Sequence, residues 1–450
     1  MSRASVLGTF FVAALVAVAP ARAGGQEADT ARTTYDAAIE RPVAVDTVTA
    51  EEAVERALEA NPQVVQAETG LGTASYATKQ AYAAFLPSLS VSTGASLSSS
   101  ERFDPGTGLL VSGQSSNYSA GLSTSMDLFS GGRNLAAVRS ARAGVLAAEA
   151  SLVTRRFAAA LEAKQAYFAV LRAEELIGLN QERIAQAQGQ LTAAERQLQA
   201  GRATRSDVLR ARLQMSNARQ GLLSAAAQLR TSMYALGRVV GEAGPVAAAR
   251  TEALAPRPLA LTMAEMREIV AREAPGVVST EATLGVAEAQ LSQARAQCFP
   301  SVGVSGGYNW SNPDFTLDEG RTSWNTRINL SYPLFNGLAR EAGVERARGQ
   351  LLVAEAQAEN ARRQALSELE RLVAALELAA EQLAILEESV VVAEEDYRVL
   401  QERYNLGAAT ILELVTSQIA LTQAEYDLIN ARYDYQIAKA ELESLLGREL

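Results

Sequence analysis

A chain of 450 residues with a net charge of −10, no histidine and one cysteine excludes several functions at once. Without histidine there is no Ser-His-Asp or Cys-His triad, no imidazole acid–base pair and no histidine metal site, so no catalytic set, metal or cofactor is expected. The acidic balance and the lack of a dense basic tract argue against nucleic-acid binding. Cys298 has no partner for an internal disulfide, and it reads as a small buried hydrophobe beside Phe299 and Pro300.

In chain order, residues 1–23 read as a secretory signal peptide, with Arg3, an apolar run at 6–18 and the small-x-small site Ala21-Arg22-Ala23. No cysteine follows that site, so no lipoprotein anchor is expected, and no later run approaches the ~18 apolar residues of a membrane helix. An N-terminal segment, 24–48, leads into a duplication. Residues 49–58 (TAEEAVERAL) are echoed at 262–271 (TMAEMREIVA), and Leu86-Pro87-Ser88 at Phe299-Pro300-Ser301, both offset by 213. Leu128-Phe129-Ser130-Gly131 matches Leu334-Phe335-Asn336-Gly337 and Gly201 matches Gly407, both offset by 206, while Leu236-Gly237-Arg238 matches Leu446-Gly447-Arg448 at 210. Repeat 1 is placed at 49–240 and repeat 2 at 259–450. The linker at 241–258, with Gly244-Pro245 and Pro256-Arg257-Pro258, is expected to lie outside the helical body.

Each repeat opens with helices, over 49–82 and 262–297, interrupted at Asn61-Pro62 and Ala274-Pro275. Two stretches then switch to strict alternation, predicting strands at about 87–98 and 117–129, and again at about 300–311 and 323–335. One face carries Leu89, Val91, Leu122, Met126, Val304, Tyr308, Ile328 and Leu330; the other is Ser, Asn and Gly. Strands of about 10–12 residues are long enough to cross a bilayer when tilted. Tyr118, Trp310 and Trp324 sit by the loops and Phe129, Tyr332 and Phe335 at the opposite edge, as in the aromatic girdles of membrane barrels. Four strands cannot close a barrel, so edge satisfaction in a membrane requires a barrel shared between chains.

From Gly132 to Ala200 and from Gly337 to Leu406 no proline interrupts a helical pattern, which predicts two helices each ~100 Å long. Leu369, Leu372, Leu376, Leu383 and Leu386 recur at coiled-coil seam spacing. Each helix ends in a glycine turn, at about 200–207 and 406–413, and restarts in a capping box: Thr204-Arg205-Ser206-Asp207 and Thr410-Ile411-Leu412-Glu413.

The order of elements and the motifs Ala60-Asn61-Pro62, Leu86-Pro87-Ser88, Phe299-Pro300-Ser301, Leu128-Phe129-Ser130-Gly131-Gly132, Pro333-Leu334-Phe335-Asn336-Gly337, Gly201…Asp207-Val208-Leu209 and Arg403-Tyr404-Asn405-Leu406-Gly407…Glu413-Leu414 resemble the TolC family of outer-membrane efflux proteins. The resemblance implies a mainly α chain with a β membrane part: a homotrimer with a shared twelve-stranded outer-membrane barrel on a periplasmic α-barrel of long antiparallel coiled-coil helices. It implies a passive exit duct for tripartite efflux or type I secretion, in a Gram-negative type envelope. Its partners would be outer-membrane lipid, a periplasmic adaptor and an inner-membrane pump. By the same resemblance Ala200, Gly201, Arg202, Leu406, Gly407 and Ala408 are the adaptor-docking turns. Asp207, Tyr404, Glu413 and Thr416 are the tip and gate positions, with Ala409 standing where some relatives carry a latch arginine. From the residues alone, a soluble periplasmic or surface coiled-coil scaffold with hairpin decorations is the alternative, and lipid-length hairpins with aromatic ends discriminate against it.

Overall fold

The computed structural model describes residues 46–106, 108–250, 261–316 and 320–450. The expected signal peptide, most of the N-terminal segment and residues 251–258 of the linker lie outside the described residues.

Repeat 1 runs β1 (Asp46–Val48), α1 (Ala50–Ala60), α2 (Pro62–Ala83), β2 (Ser88–Asp104), β3 (Leu109–Phe129), α3 (Arg133–Gln199) and α4 (Arg205–Val240). After β4 (Val246–Ala248), repeat 2 runs α5 (Met263–Glu273), α6 (Pro275–Ala296), β5 (Ser301–Asn312), β6 (Arg321–Ser331), α7 (Ala339–Asn405) and α8 (Ile411–Leu446). Corresponding helices have equal lengths of 11, 22, 67 and 36 residues in the two repeats. The prolines act as expected: Pro62 and Pro275 each take the first position of a helix, where the missing N–H would have no partner.

The strands form one antiparallel sheet in the order β2-β3-β5-β6, which leaves β2 and β6 with an unpaired edge each. Side chains alternate across this sheet so that Val91, Leu122, Tyr308 and Trp324 fall in one transverse row, and Met126, Val304 and Ile328 in another. The rows on either side of the Leu122 row hold Ser90, Ser123, Gly307 and Asn325, and Ser92, Gly121, Asn309 and Ser323. The two hairpins share one register. Ala95 lies opposite Tyr118, and Tyr308 opposite Trp324, the same pair shifted by the repeat offsets.

Two strand expectations need correction. Hairpin 1 is longer than 87–98 and 117–129: its strands stay paired to Asp104 and Leu109, beyond the point where β5 ends opposite Tyr118. The Ser- and Gly-rich backbone there satisfies its own hydrogen bonds in a two-stranded ribbon, with no need of an alternating apolar face. In hairpin 2, β6 ends at Ser331 rather than 335, because Pro333 has no N–H to continue the ladder.

Most of the described core lies in the helices. Leu369, Leu372, Leu376 and Leu383 of the expected seam are buried, and Leu386 is partly buried against them. The largest cluster joins both repeats: Tyr167, Phe168 and Leu236 from repeat 1 pack with Ile429 and Tyr433 from repeat 2, and with Val48 and Val246. Val246 belongs to the linker, so its first part is not outside the helical body. β4 pairs in parallel with β1, and the Tyr167 hydroxyl donates to the Ala249 carbonyl. Three residues are too short for any period to reveal. Cys298 is exposed rather than buried, in the turn between α6 and β5 where its N–H donates to the Arg295 carbonyl at 3.0 Å.

Candidate functional site

The candidate residues fall in two regions: the sheet and the far ends of the long helices. On the sheet, Trp324, Phe129, Tyr332 and Phe335 are exposed, and Leu89, Val91, Ile328 and Leu330 are exposed with them. Tyr118 and Trp310 are half-buried, Tyr118 edge-on to Phe315 with ring centroids 5.0 Å apart. A continuous exposed apolar face of this kind is not solvated at equilibrium; it marks a surface that lipid or another chain covers. The opposite face is tied by hydroxyl pairs such as Ser88–Ser125 and Ser90–Ser123, both 2.7 Å.

At the helix ends the two turns share one backbone geometry. Gly201 and Gly407 adopt φ of +71° and +76°, conformations that glycine reaches without a Cβ penalty. The Gly201 N–H donates to Leu198 (3.0 Å) and the Arg202 N–H to Gln197 (2.8 Å); Gly407 and Ala408 donate to Tyr404 (3.0 Å) and Arg403 (2.7 Å) in the same pattern. These paired bonds satisfy carbonyls left over at each helix end. Ala200, Arg202, Leu406 and Ala408 project from the turns and are exposed.

Both restarts are reciprocal capping boxes. Asp207 accepts from the Thr204 N–H at 2.7 Å while its own N–H donates to the Thr204 hydroxyl at 3.3 Å. Glu413 and Thr410 repeat this at 2.7 and 3.3 Å. The Glu413 carboxyl is held below the ordinary carboxylate range by the Thr410 N–H first, the Thr410 hydroxyl next and the Arg403 charge in addition. It is fully exposed and ionised. Thr416 bonds back to the Leu412 carbonyl within its own helix.

Tyr404 is buried among Tyr397, Ile411, Leu414 and Leu421, and among the described residues its hydroxyl has no hydrogen-bond partner. Burial raises its pKa, and the charge of Asp207 raises it further. Asp207 spends one carboxylate oxygen on its cap, and Ala409, which packs against the Tyr404 cluster, carries no charge. A polar contact that crosses here between the α3–α4 and α7–α8 helix pairs is one the sequence pattern did not reveal: the Gln197 amide donates to the Tyr404 carbonyl at 2.9 Å. Further up, Gln190 donates to the Tyr397 hydroxyl at 3.3 Å and Gln418 to Gln186 at 3.3 Å. Glutamines on a helix otherwise rich in Ala, Glu and Arg carry no signal of which of them will face a neighbouring hairpin.

Along the same seam Glu425 on α8 is half-buried near Glu182 on α3 and Glu394 on α7. Burial first, and then these two charges, push its pKa up to about 7, with Arg183 partly opposing. The folded state therefore holds this proton more tightly than the unfolded chain. The destabilisation from Glu425 is absent below the ordinary carboxylate range, grows as pH rises from there to about 7, and is constant above it. Glu425→Gln is expected to raise the thermal midpoint at about pH 8 and to leave it unchanged at about pH 4, read by helical circular dichroism. An equal shift at both values would remove the electrostatic explanation.

The chain matches the family model described as outer membrane efflux protein over residues 53–242 and 268–448. It is 30% identical over 414 residues to protein CyaE of Bordetella pertussis, covering 87% of this chain and 81% of that one. It is 22% identical over 398 residues to the outer membrane protein TolC of Vibrio cholerae, covering 87% and 89%. The solved structure of the outer membrane protein VceC of Vibrio cholerae shares the fold at a TM-score of 0.75 and 21% identity, over 89% of this chain and 96% of that one. These similarities place the protein in the outer membrane as an exit duct and set aside the soluble scaffold. The chain belongs to the outer membrane efflux protein family.

Proposed function

We infer that the protein works as a homotrimer in which three sheets close one twelve-stranded barrel and the long helices form a periplasmic α-barrel beneath it. The observation that carries this reading is the sheet with two unpaired edges and one apolar face. Unpaired N–H and C=O groups in hydrocarbon each cost several kcal/mol, so the edges must find strands, and other copies of the chain supply them. The exposed turns at Ala200, Gly201, Arg202, Leu406, Gly407 and Ala408 dock a periplasmic adaptor, which couples the duct to an inner-membrane pump for tripartite efflux or type I secretion. Asp207, Tyr404, Glu413 and Thr416 lie at the mouth. Transport through the duct is passive; the pump supplies the energy and selects the cargo.

At the mouth, three ionised copies of Glu413 would set a negative potential that favours cations. Purified protein in planar bilayers is expected to give discrete conductance steps, and Glu413→Gln to lower the cation-to-anion permeability ratio roughly two-fold or more. The absence of any conductance in the wild type would overturn the duct geometry. An unchanged ratio in the variant would leave Glu413 as a helix cap only.

A further inference from the structure

The two turns have one backbone geometry and unlike charge. Residues 195–212 hold five arginines against two carboxylates; the corresponding residues 401–418 hold one arginine against two. Arg196, Arg202, Arg205 and Arg210 are all exposed, and among the described residues none of them forms an ion pair. Only Arg212 is paired, with Glu195 at 3.2 Å. At the offset of 206, the four unpaired arginines correspond to Glu402, Ala408, Ile411 and Thr416. The contrast is sharpest at Arg205, because Ile411 in the same place is buried core.

Helix stability does not account for these arginines. Arg196 lies in the last turn of α3, where a cation suits the helix dipole. Arg205 and Arg210 occupy the first and second turns of α4, where the dipole favours an acid and opposes a cation. Their side chains share a face with Leu209 and Leu213, both exposed, opposite the buried Val208, Ala211 and Met215. An exposed pair of leucines at helical spacing, rimmed by unpaired guanidinium groups, fits an amphipathic partner helix with acids beside its apolar stripe. Guanidinium binds carboxylate through two parallel hydrogen bonds, which gives register as well as attraction.

We propose that turn 1, through Arg202, Arg205 and Arg210, binds carboxylates on the docking helices of the periplasmic adaptor, while turn 2 docks without charge pairing. The two turns then accept the adaptor in one rotational register only. This rests on the adaptor-docking reading of the turns, and the test separates the two claims. In the full-length protein in its own cells, a photoreactive benzophenone amino acid replaces Leu406 to report docking at turn 2. Separately, Arg202→Lys and Arg205→Lys each introduce an amine that a zero-length carbodiimide joins only to a carboxylate in contact.

The expected result is that the turn 2 photoprobe captures an adaptor, and that the turn 1 amines couple to Asp or Glu of that same adaptor. Ala408→Lys and Thr416→Lys should couple at least tenfold less. Arg202→Glu with Arg205→Glu should cut transport at least tenfold, and reversing the coupled acid on the adaptor should restore it. If the photoprobe captures the adaptor but the amines of turn 1 couple no more than those of turn 2, the charge assignment falls and docking stands. If the photoprobe captures no adaptor, the docking reading falls and the inference with it. Binding of the wild type, but not the doubly reversed variant, to phosphatidylglycerol vesicles and not to phosphatidylcholine vesicles would reassign the arginines to a lipid surface and overturn the proposal.

Discussion

Gly131→Val is expected to reduce the amount of protein assembled in the outer membrane to less than about a tenth of wild type. Gly131 sits at φ +65° between β3 and α3, and a Cβ added there would lie 2.7 Å from the Ala296 carbonyl oxygen and 2.8 Å from the Phe299 Cβ. A left-handed conformation alone costs a non-glycine residue about 1–2 kcal/mol, and a β-branched side chain more. The overlap is worse, because a carbonyl and a Cβ cannot move aside as the end of a flexible side chain can. The atoms in the way belong to the α6–β5 junction of repeat 2, so Gly131 is where hairpin 1, the long helix and hairpin 2 are held together. Membrane fractionation with a heat-modifiable band on a gel reads the outcome. Wild-type levels of assembled Gly131→Val would show that this junction does not fix the sheet on the helices.

The second large effect is expected at Tyr433. Its side chain is 0% exposed, its hydroxyl donates to Glu175 at 2.9 Å, and its ring packs against Phe168 with centroids 6.4 Å apart. Glu175 also meets Arg432 at 3.5 Å and Arg250 at 3.8 Å, so one carboxylate of repeat 1 gathers a tyrosine and an arginine of repeat 2 and an arginine of the linker. Tyr433→Ala should cost about 3–5 kcal/mol through the cavity it leaves. Tyr433→Phe keeps the ring and should cost about 1–2 kcal/mol through the lost hydrogen bond to the Glu175 carboxylate. Thermal unfolding in detergent, followed by helical circular dichroism, compares them. Equal losses would mean that the ring does not clamp the repeats.

Much of this architecture was legible before any coordinates. Alternation at Leu89, Val91, Leu122, Met126, Val304, Tyr308, Ile328 and Leu330 marked the lipid-length part of the sheet because one face must be apolar and the other need not be. The leucine seam of α7 and the capping boxes at Thr204 and Thr410 were readable for similar reasons: a local physical requirement leaves a local pattern. What stayed hidden had no such requirement. The ribbon extension to Asp104 needs only backbone pairing, and the β1–β4 clip is three residues long. At the tip, the turns and capping acids could be named, but the link from Gln197 to Tyr404 could not, since it depends on how the α3–α4 and α7–α8 helix pairs lie against each other. Tyr404 shows the limit of matching single residues. Its identity fits a latch, while its hydroxyl is buried without a partner and its charged neighbour is committed to a cap.

The duplication supplies the most direct test of the trimeric duct. Within the chain, Leu122 on β3 lies opposite Tyr308 on β5. Shifting Leu122 forward by 206 gives Ile328 on the free edge of β6, and shifting Tyr308 back by 213 gives Ala95 on the free edge of β2. If copies close the barrel with the register of the internal pair, Ile328 faces Ala95 of a second copy. Residues directly opposite across two strands lie about 4.5–5.5 Å apart, within disulfide range. In a Cys298→Ser background, Ala95→Cys with Ile328→Cys should oxidise in outer membranes to a ladder on non-reducing gels that ends at three chains, and reductant should return it to single chains. A ladder that continues past three chains, or uncrosslinked single chains under the same oxidation, would contradict the shared twelve-stranded barrel.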